Sequence, residues 1–272
     1  MTRFFRGPKK SAASLTEPRD NGPFDPQVCR FLESRHNGWL NQQTGEILEG
    51  FPIVAEDTVI DVGCGDGGIS VFAAKRGAEV IATDIVPEKV ELLKEKLAKS
   101  LSRAFRGIVS DSNPLPVADQ TATKVIAREV LEHVEDPQQF LSELVRVGKP
   151  GALYLITVPD PLAESLQRVV SPPCYWQKPN HLHVFEREQF VELVRQSGLQ
   201  IERQLHTGFY WSMWWILFWA AEQEFGAPEG PLLQQWTKTW HALITSPKGL
   251  PIRQALDQFM PKTQGVIAAK AA

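Results

Sequence analysis

Four aspartates offer this chain its clearest chemistry by type and spacing: Asp61, Asp66, Asp84 and Asp111. The first two sit in and beside a glycine-dense turn, Val59-Ile60-Asp61-Val62-Gly63-Cys64-Gly65-Asp66-Gly67-Gly68. An apolar β-type run enters the turn, and Ile69 to Ala74 leaves it as a helix. A strand–loop–helix unit of this kind lets a ligand come close to the backbone. Gly63, Gly65 and Gly68 also satisfy the generic G-x-G-x-x-G pattern, which is weak by itself. The charges discriminate further. A pyrophosphate at the helix N-terminus would be repelled by two carboxylates, whereas a cationic ligand would be attracted. A glycine turn without a ligand is the plain alternative.

S-adenosylmethionine carries both an ammonium and a sulfonium, so the sign of the charge favours it over a dinucleotide. Asp84 ends a second β-type run, Ala78 to Thr83. An acid about 20 residues past a glycine loop, at a strand end, is placed to accept hydrogen bonds from ribose hydroxyls. It is also placed to cap the helical run Glu88 to Leu97, which follows Pro87. The two roles are compatible.

With these residues the sequence resembles a class I S-adenosylmethionine-dependent methyltransferase of the broad type 11-like small-molecule group. Asp61, Gly63, Gly65 and Gly67 match that family's first motif and Asp84 its second. Asp111, in Ser110-Asp111-Ser112-Asn113-Pro114-Leu115-Pro116, matches the acid that holds the adenine amino group. Arg128-Glu129-Val130-Leu131-Glu132-His133-Val134 resembles the segment after the family's fourth strand. The resemblance covers residues 50 to 160 well and the rest loosely. It implies cofactor contacts from Asp61, Gly63, Cys64, Gly65, Gly67, Asp84, Ile85, Asp111, Ser112, Arg128, Glu129 and His133. It says nothing specific about the methyl acceptor.

The 272 residues suffice for one α/β domain with a substantial core. Hydrophobic residues at 43% and charged residues at 22% are ordinary for a globular protein. A formal net charge of -3 argues against a general nucleic-acid binder, which needs a basic face. Arg128-Glu129 also stands where amino-methylating nucleic-acid enzymes carry an Asn-Pro-Pro-Tyr-type sequence. Cys29, Cys64 and Cys174 are scattered, which fits a reducing cytoplasm and neither a disulfide framework nor a zinc site. No apolar signal segment opens the chain, and the expected localisation is cytoplasmic.

Residues 1 to 22 are basic and lack periodicity, as expected of a flexible tail. The remainder, 23–272, reads as a single methyltransferase domain. Helices are predicted from Pro26 to near Leu40, over Thr44 to Phe51, and over 68–76, 87–99, 137–147 and 187–197. In the related fold the N-terminal pair lies over the cofactor. Strands are predicted at 57–62, 79–83, 105–110, 123–128, 152–158 and 200–206, with a last one at 265–270. The alternation predicts an α/β fold, a Rossmann-like seven-stranded doubly wound sheet, mostly parallel. In the related fold a final strand inserts antiparallel into the sheet edge, and the run at 265–270 is expected there. Insertions at about 161–186 and 207–262 predict a helical cap.

The cap region holds the acceptor-side candidates. Phe209 to Ala221 is strongly apolar, includes Tyr210, Trp211, Trp214 and Trp215, and is too short to span a bilayer. Three readings stay open: a buried helix, the lining of an apolar substrate pocket, or contact with a membrane surface. Tyr175 and Trp176 precede Asn180-His181-Leu182-His183-Val184-Phe185, which resembles the family's acceptor-side segment, with His181 at its histidine. His181 and His183 are candidate bases or acceptor-positioning groups, because histidine titrates in the useful range. Either would serve equally as a loop histidine capping carbonyls. An i, i+2 histidine pair without a third ligand nearby predicts no metal.

The expected function is methyl transfer to a small apolar or aromatic metabolite, oxygen being preferred. The alternatives are methylation of a lipid or quinone precursor at a membrane surface and a non-catalytic cofactor-binding subunit.

Overall fold

A computed structural model of the protein describes residues 26–98, 102 and 104–272. The basic tail expected over residues 1 to 22 lies outside them. In chain order the elements are α1 (Pro26–His36), β1 (Glu46–Leu48), β2 (Phe51–Pro52), β3 (Thr58–Val62), α2 (Gly68–Lys75), β4 (Glu79–Asp84), α3 (Pro87–Leu97), β5 (Phe105–Val109), β6 (Ala122–Arg128) and α4 (Pro137–Val147). Then follow β7 (Gly148–Pro159), α5 (Pro161–Val170), α6 (Arg187–Gln196), β8 (Leu199–Thr207), α7 (Phe209–Ala220), α8 (Pro231–Ile244), α9 (Gly249–Phe259) and β9 (Thr263–Lys270).

Seven strands form one sheet in the order β5-β4-β3-β6-β7-β9-β8. The pairs from β5 through β7 are parallel, and β9 runs antiparallel to both β7 and β8. The last strand is thus antiparallel, as expected, inserted between β7 and the edge strand β8. Chain order reverses between β3 and β6, and in such a sheet the crevice for a ligand opens at that reversal, beyond the carboxyl ends of the strands. The central strands are apolar on both faces because helices cover both; all five residues of β3 are buried. Sequence reasons for the helix starts are plain. Asp136 accepts from the Gln138 and Gln139 amides ahead of Pro137, and Asp160 accepts from the Leu162 amide ahead of Pro161.

The helix expected over Thr44 to Phe51 is instead the β1–β2 hairpin. Gly45 and Gly50 take φ of 80° and 87°, and the Asn41 carboxamide accepts from the Gln43 and Thr44 amides. Left-handed glycines and an Asx turn break the helical ladder that the apolar pattern suggested. The first helix likewise stops at His36, ahead of Gly38 at φ 74°.

α7, α8 and α9 fill the long insertion, and Cys29 of α1 joins their core of Tyr210, Trp214, Phe218, Leu233, Trp240 and Ile244. α1 thus packs with the cap. Burial raises the Cys29 thiol to about 12, so it behaves as a small apolar group. One buried polar knot ties the cap together. Glu33 of α1 accepts from Trp240 Nε1 at 2.8 Å and pairs with Arg253 at 3.4 Å; Arg253 also meets Asp257 at 3.0 Å. Asp257 in turn accepts from the Gly208 and Phe209 amides and so starts α7. Glu33→Ala would leave the Trp240 indole buried without its acceptor, and Arg253 with Asp257 as its remaining charged partner. The expected cost is about 1–3 kcal/mol, read as a drop of roughly 2 °C or more in a thermal melt.

Candidate functional site

The turn after β3 sits at the sheet's reversal, and its geometry selects among the glycine patterns. Gly63, Gly65 and Gly67 take φ of 68°, 51° and 78°, while Gly68 opens α2 and is not among the positive-φ glycines. A Cβ on Gly63 would come within 2.4 Å of Val130, and one on Gly67 within 2.4 Å of Leu93. These two glycines are needed for packing. A Cβ on Gly65 would find only the Gly63 carbonyl, 4.0 Å away. Gly65 therefore marks open space above the turn, a cradle that a ligand can enter.

Asp84 braces this cradle from the next strand. Its carboxylate accepts from the Gly65 amide and from the Val86 amide, both at 2.9 Å. Each oxygen keeps a lone pair for a further donor, as two ribose hydroxyls require. The capping alternative is not realised, because Val86 occupies the cap position of α3 and makes no side-chain bond. Beside Asp84, Ile85 is 68% exposed, an apolar surface suited to the face of a purine. Cys64 is buried in the turn, and burial, with Asp61 and Asp84 nearby, raises its thiol to about 12, so it serves packing. Asp111 is exposed and accepts from the Asn113 amide, while Ser112 is buried at φ 66°. Arg128, at the end of β6, lays its guanidinium 4.6 Å from the centre of the Trp39 ring.

Asp61 is buried under the turn and accepts from the Ser70 hydroxyl at 2.6 Å. Burial raises its carboxyl to about 6; the Ser70 bond and Arg128 only partly oppose this. The ionised form is the one that attracts a ligand's ammonium, and the apo protein favours the neutral form below that pH. Affinity for an ammonium-bearing ligand is therefore expected to fall as pH drops through about 6, toward tenfold per unit on the acid side. Calorimetry from pH 5 to 8 with S-adenosylhomocysteine, which has that ammonium, measures it. In Asp61→Asn the slope should vanish.

A second group of polar side chains lies past the ends of β6 and β7. Glu129 follows β6 at φ 56°, a strained setting for a non-glycine residue, and is held by Thr157 at 3.0 Å, Thr263 at 3.2 Å and Lys262 at 3.5 Å. The short turn Leu131–His133 presents Glu132 and His133. Glu132 is 1% exposed, and neither carboxylate oxygen takes a hydrogen bond from another side chain. Burial, and then Glu129, raise its carboxyl well above the usual range. Burial and the neighbouring His181 lower His133 to about 4, so its imidazole is neutral at neutral pH. The rings of His133 and His181 meet edge to face at 4.9 Å.

His181 is fixed by a residue the sequence reading did not single out. Its Nδ1 lies 2.6 Å from Glu164 Oε2, on the buried face of α5, and its Nε2 lies 3.4 Å from the Tyr175 hydroxyl. Burial opposes ionisation of Glu164, but the His181 bond and Lys262 outweigh it and hold the carboxyl below its usual range. Lys262 is kept charged against burial by Glu129, Glu164 and Glu132 together. Burial raises the Tyr175 phenol far above its usual range, so it stays neutral. His183 plays no such part: its Nε2 lies 2.9 Å from the Val134 carbonyl, to which it donates as a loop histidine.

The aromatic candidates divide. Tyr175 touches Trp176, His181 and Trp219, with ring centres 5.0, 4.7 and 5.4 Å away. Trp176 donates to the Ser171 hydroxyl and lies under Arg168. Tyr210 and Trp214, expected to line a pocket, are buried inside the cap's own core, and the Tyr210 hydroxyl is bonded to Thr237. Trp211 and Trp215 pack on that same core. An all-apolar helix offers no periodicity to tell its inner face from its outer one, so the sequence could not single out Trp219 as the residue that reaches Tyr175.

This sheet order, with the glycine cradle at its reversal and an acid ending the next strand, defines the class I S-adenosylmethionine-dependent methyltransferase fold. Residues 60–156 match the family model described as a methyltransferase domain, so that stretch of the chain is a methyltransferase domain. Over 131 residues it is 31% identical to norajmaline N-methyltransferase of Rauvolfia serpentina, covering 47% of this chain and 43% of that one. Over 195 residues it is 30% identical to the mitochondrial ubiquinone biosynthesis O-methyltransferase of Schizosaccharomyces pombe, covering 66% and 61%. The chain thus spans less than two thirds of either relative. A solved methyltransferase from Aquifex aeolicus, described as S-adenosylmethionine dependent, superposes with a TM-score of 0.53 at 19% identity, covering 91% of this chain and 99% of that one. That likeness concerns the fold. The residues present fit the cofactor: an open glycine cradle, a strand-end carboxylate with spare lone pairs, an exposed apolar side chain beside it and a buried acid beneath.

Proposed function

We propose that the protein transfers a methyl group to a small acceptor with an apolar or aromatic body, oxygen being the preferred atom. When bound, S-adenosylmethionine supplies a methyl group on a positively charged sulfur, a good leaving group. The protein's task is then mainly to align the acceptor. Asp61, Gly63, Gly65, Gly67, Asp84, Ile85 and Asp111 would hold the donor. The acceptor side is His181, whose Nδ1 is held by Glu164 and whose Nε2 lies 3.4 Å from the Tyr175 hydroxyl, the place an acceptor hydroxyl would take. Tyr175, Trp176 and Trp219 give that side an aromatic wall.

The observation that carries this reading is the buried Glu164–His181 pair at 2.6 Å, set past the strand ends that border the glycine cradle. A donor with a labelled methyl group, offered with a panel of phenols, catechols and apolar amines, tests it. Label is expected in oxygen acceptors. Transfer confined to amines would overturn the oxygen preference, and transfer to none would favour a non-catalytic cofactor-binding role.

A second reading has an observation of its own. α5 turns Glu164 inward and leaves Leu162, Leu166 and Val169 exposed at 36%, 43% and 81%. Their spacing puts them on one helix face. No helix among the described residues is long and apolar enough to cross a membrane. A lipid-like or quinone-precursor acceptor taken from a membrane surface would use such a face, and co-sedimentation with liposomes decides it.

A further inference from the structure

We propose that Glu132, His133 and His181 form a site for a divalent cation of zinc type at the acceptor end of the crevice, supported from behind by Glu164. One ligand atom from each of the three residues lies within 4.8 Å of the others. A tetrahedral zinc site brings its nitrogen and oxygen ligands to about 3.3 Å from one another, so modest side-chain rotations would close it.

The partners of the surrounding carboxylates mark Glu132 out. Glu129 is taken by Thr157, Thr263 and Lys262. Glu164 is taken by His181 and Gln167, with Lys262 at 3.8 Å. Glu132 alone of the three takes no hydrogen bond from another side chain, although it is 1% exposed, and its Oε1 faces His133 Nε2 at 3.7 Å. A buried carboxylate with no side-chain donor is costly and calls for a proton, a water or a cation. Lys262 cannot fill the place, since its ammonium is directed at Glu129 and Glu164.

The remaining features are those of a metal site. Two imidazoles and one carboxylate suit zinc and its neighbours in the first transition row. The Glu164–His181 bond is the outer carboxylate that fixes a ligating imidazole and leaves its other nitrogen as donor. The two segments that bring the ligands are also joined through the backbone, with the Leu182 and His183 amides both donating to the Glu132 carbonyl, at 2.8 and 3.2 Å. Sequence spacing gave no sign of this, because His181 comes from a loop remote from the turn that carries the other two.

Three protein ligands leave a coordination position for an acceptor oxygen, whose proton a bound cation makes easier to lose to water; with the cation bound, His181 holds the metal through Nε2 and does not take that proton itself. That use rests on the methyl-transfer reading; the existence of the site does not. Titration of chelator-stripped protein with Co2+, followed by visible absorption and by Zn2+ competition, tests it. The expected result is one Co2+ per chain with the bands of a four- or five-coordinate ion, displaced by Zn2+. Glu132→Gln should abolish saturable uptake, and Glu164→Gln should weaken it by roughly 10- to 100-fold. Calorimetry with S-adenosylhomocysteine on the same samples checks that each variant is folded. Wild-type protein that binds S-adenosylhomocysteine but takes up no Co2+ saturably would overturn the proposal, as would Glu132→Gln uptake equal to wild type. Co2+ uptake without methyl transfer would uphold the site and overturn only its use.

Discussion

An Asp84→Ala protein is expected to bind S-adenosylhomocysteine at least about 100-fold more weakly than wild type. The carboxylate has two tasks. It holds the Gly65 and Val86 amides at 2.9 Å and so shapes the cradle, and it has lone pairs left for two ribose hydroxyls. Hydrogen bonds to a charged group contribute about 1.5–3 kcal/mol each. Losing two costs about 3–6 kcal/mol, or roughly 100- to 20,000-fold in affinity. Asp84→Asn should fall between, because its amide oxygen can still hold one amide while the charge is gone. Calorimetry gives the affinities. An Asp84→Ala protein that binds within a few-fold of wild type would mean that the crevice at β3 and β4 is not the donor site.

His181→Ala is expected to reduce methyl transfer by at least about 100-fold with affinity for S-adenosylhomocysteine unchanged. Proton transfer by a positioned side chain contributes about 100- to 10,000-fold, and loss of a metal ligand would be no milder. Glu164→Gln should show a smaller loss in the same direction, since it disturbs only the orientation of the imidazole. The pairing of a large loss in turnover with an intact donor site separates this from unfolding. Equal turnover in wild type and His181→Ala would remove His181 from the chemistry and leave it a loop histidine, as His183 is.

Much of the donor side was legible in the sequence. The run from Val59 to Gly68 names a turn whose φ angles only glycine takes easily, and the acids expected beside it, Asp61 and Asp84, lie under it and against it. The strand–helix alternation was equally plain, because buried parallel strands read as apolar runs and Asp136-Pro137 and Asp160-Pro161 announce helix starts. The hairpin at Glu46–Leu48 was missed because a short apolar pattern fits either period, and Gly45 and Gly50 decide it. The acceptor side was only half legible. His181 was found from its local sequence, but its bond to Glu164, the approach of Lys262 to Glu164 and the packing of Trp219 on Tyr175 are tertiary contacts that no local pattern encodes. The tryptophans of α7 misled for a physical reason: the cap needs a core of its own, and Tyr210 and Trp214 were spent on it.

Calorimetry with S-adenosylhomocysteine on wild type and on Gly65→Ala is the most direct test that the turn after β3 is the donor cradle. A Cβ at Gly65 enters open space, 4.0 Å from the Gly63 carbonyl, and a left-handed alanine costs about 1–2 kcal/mol, so the variant should fold. The expected result is one site per chain in wild type and a loss of affinity of tenfold or more in folded Gly65→Ala, where the new methyl group occupies the ligand's place. No binding by wild type, or equal binding by both proteins, would contradict the account.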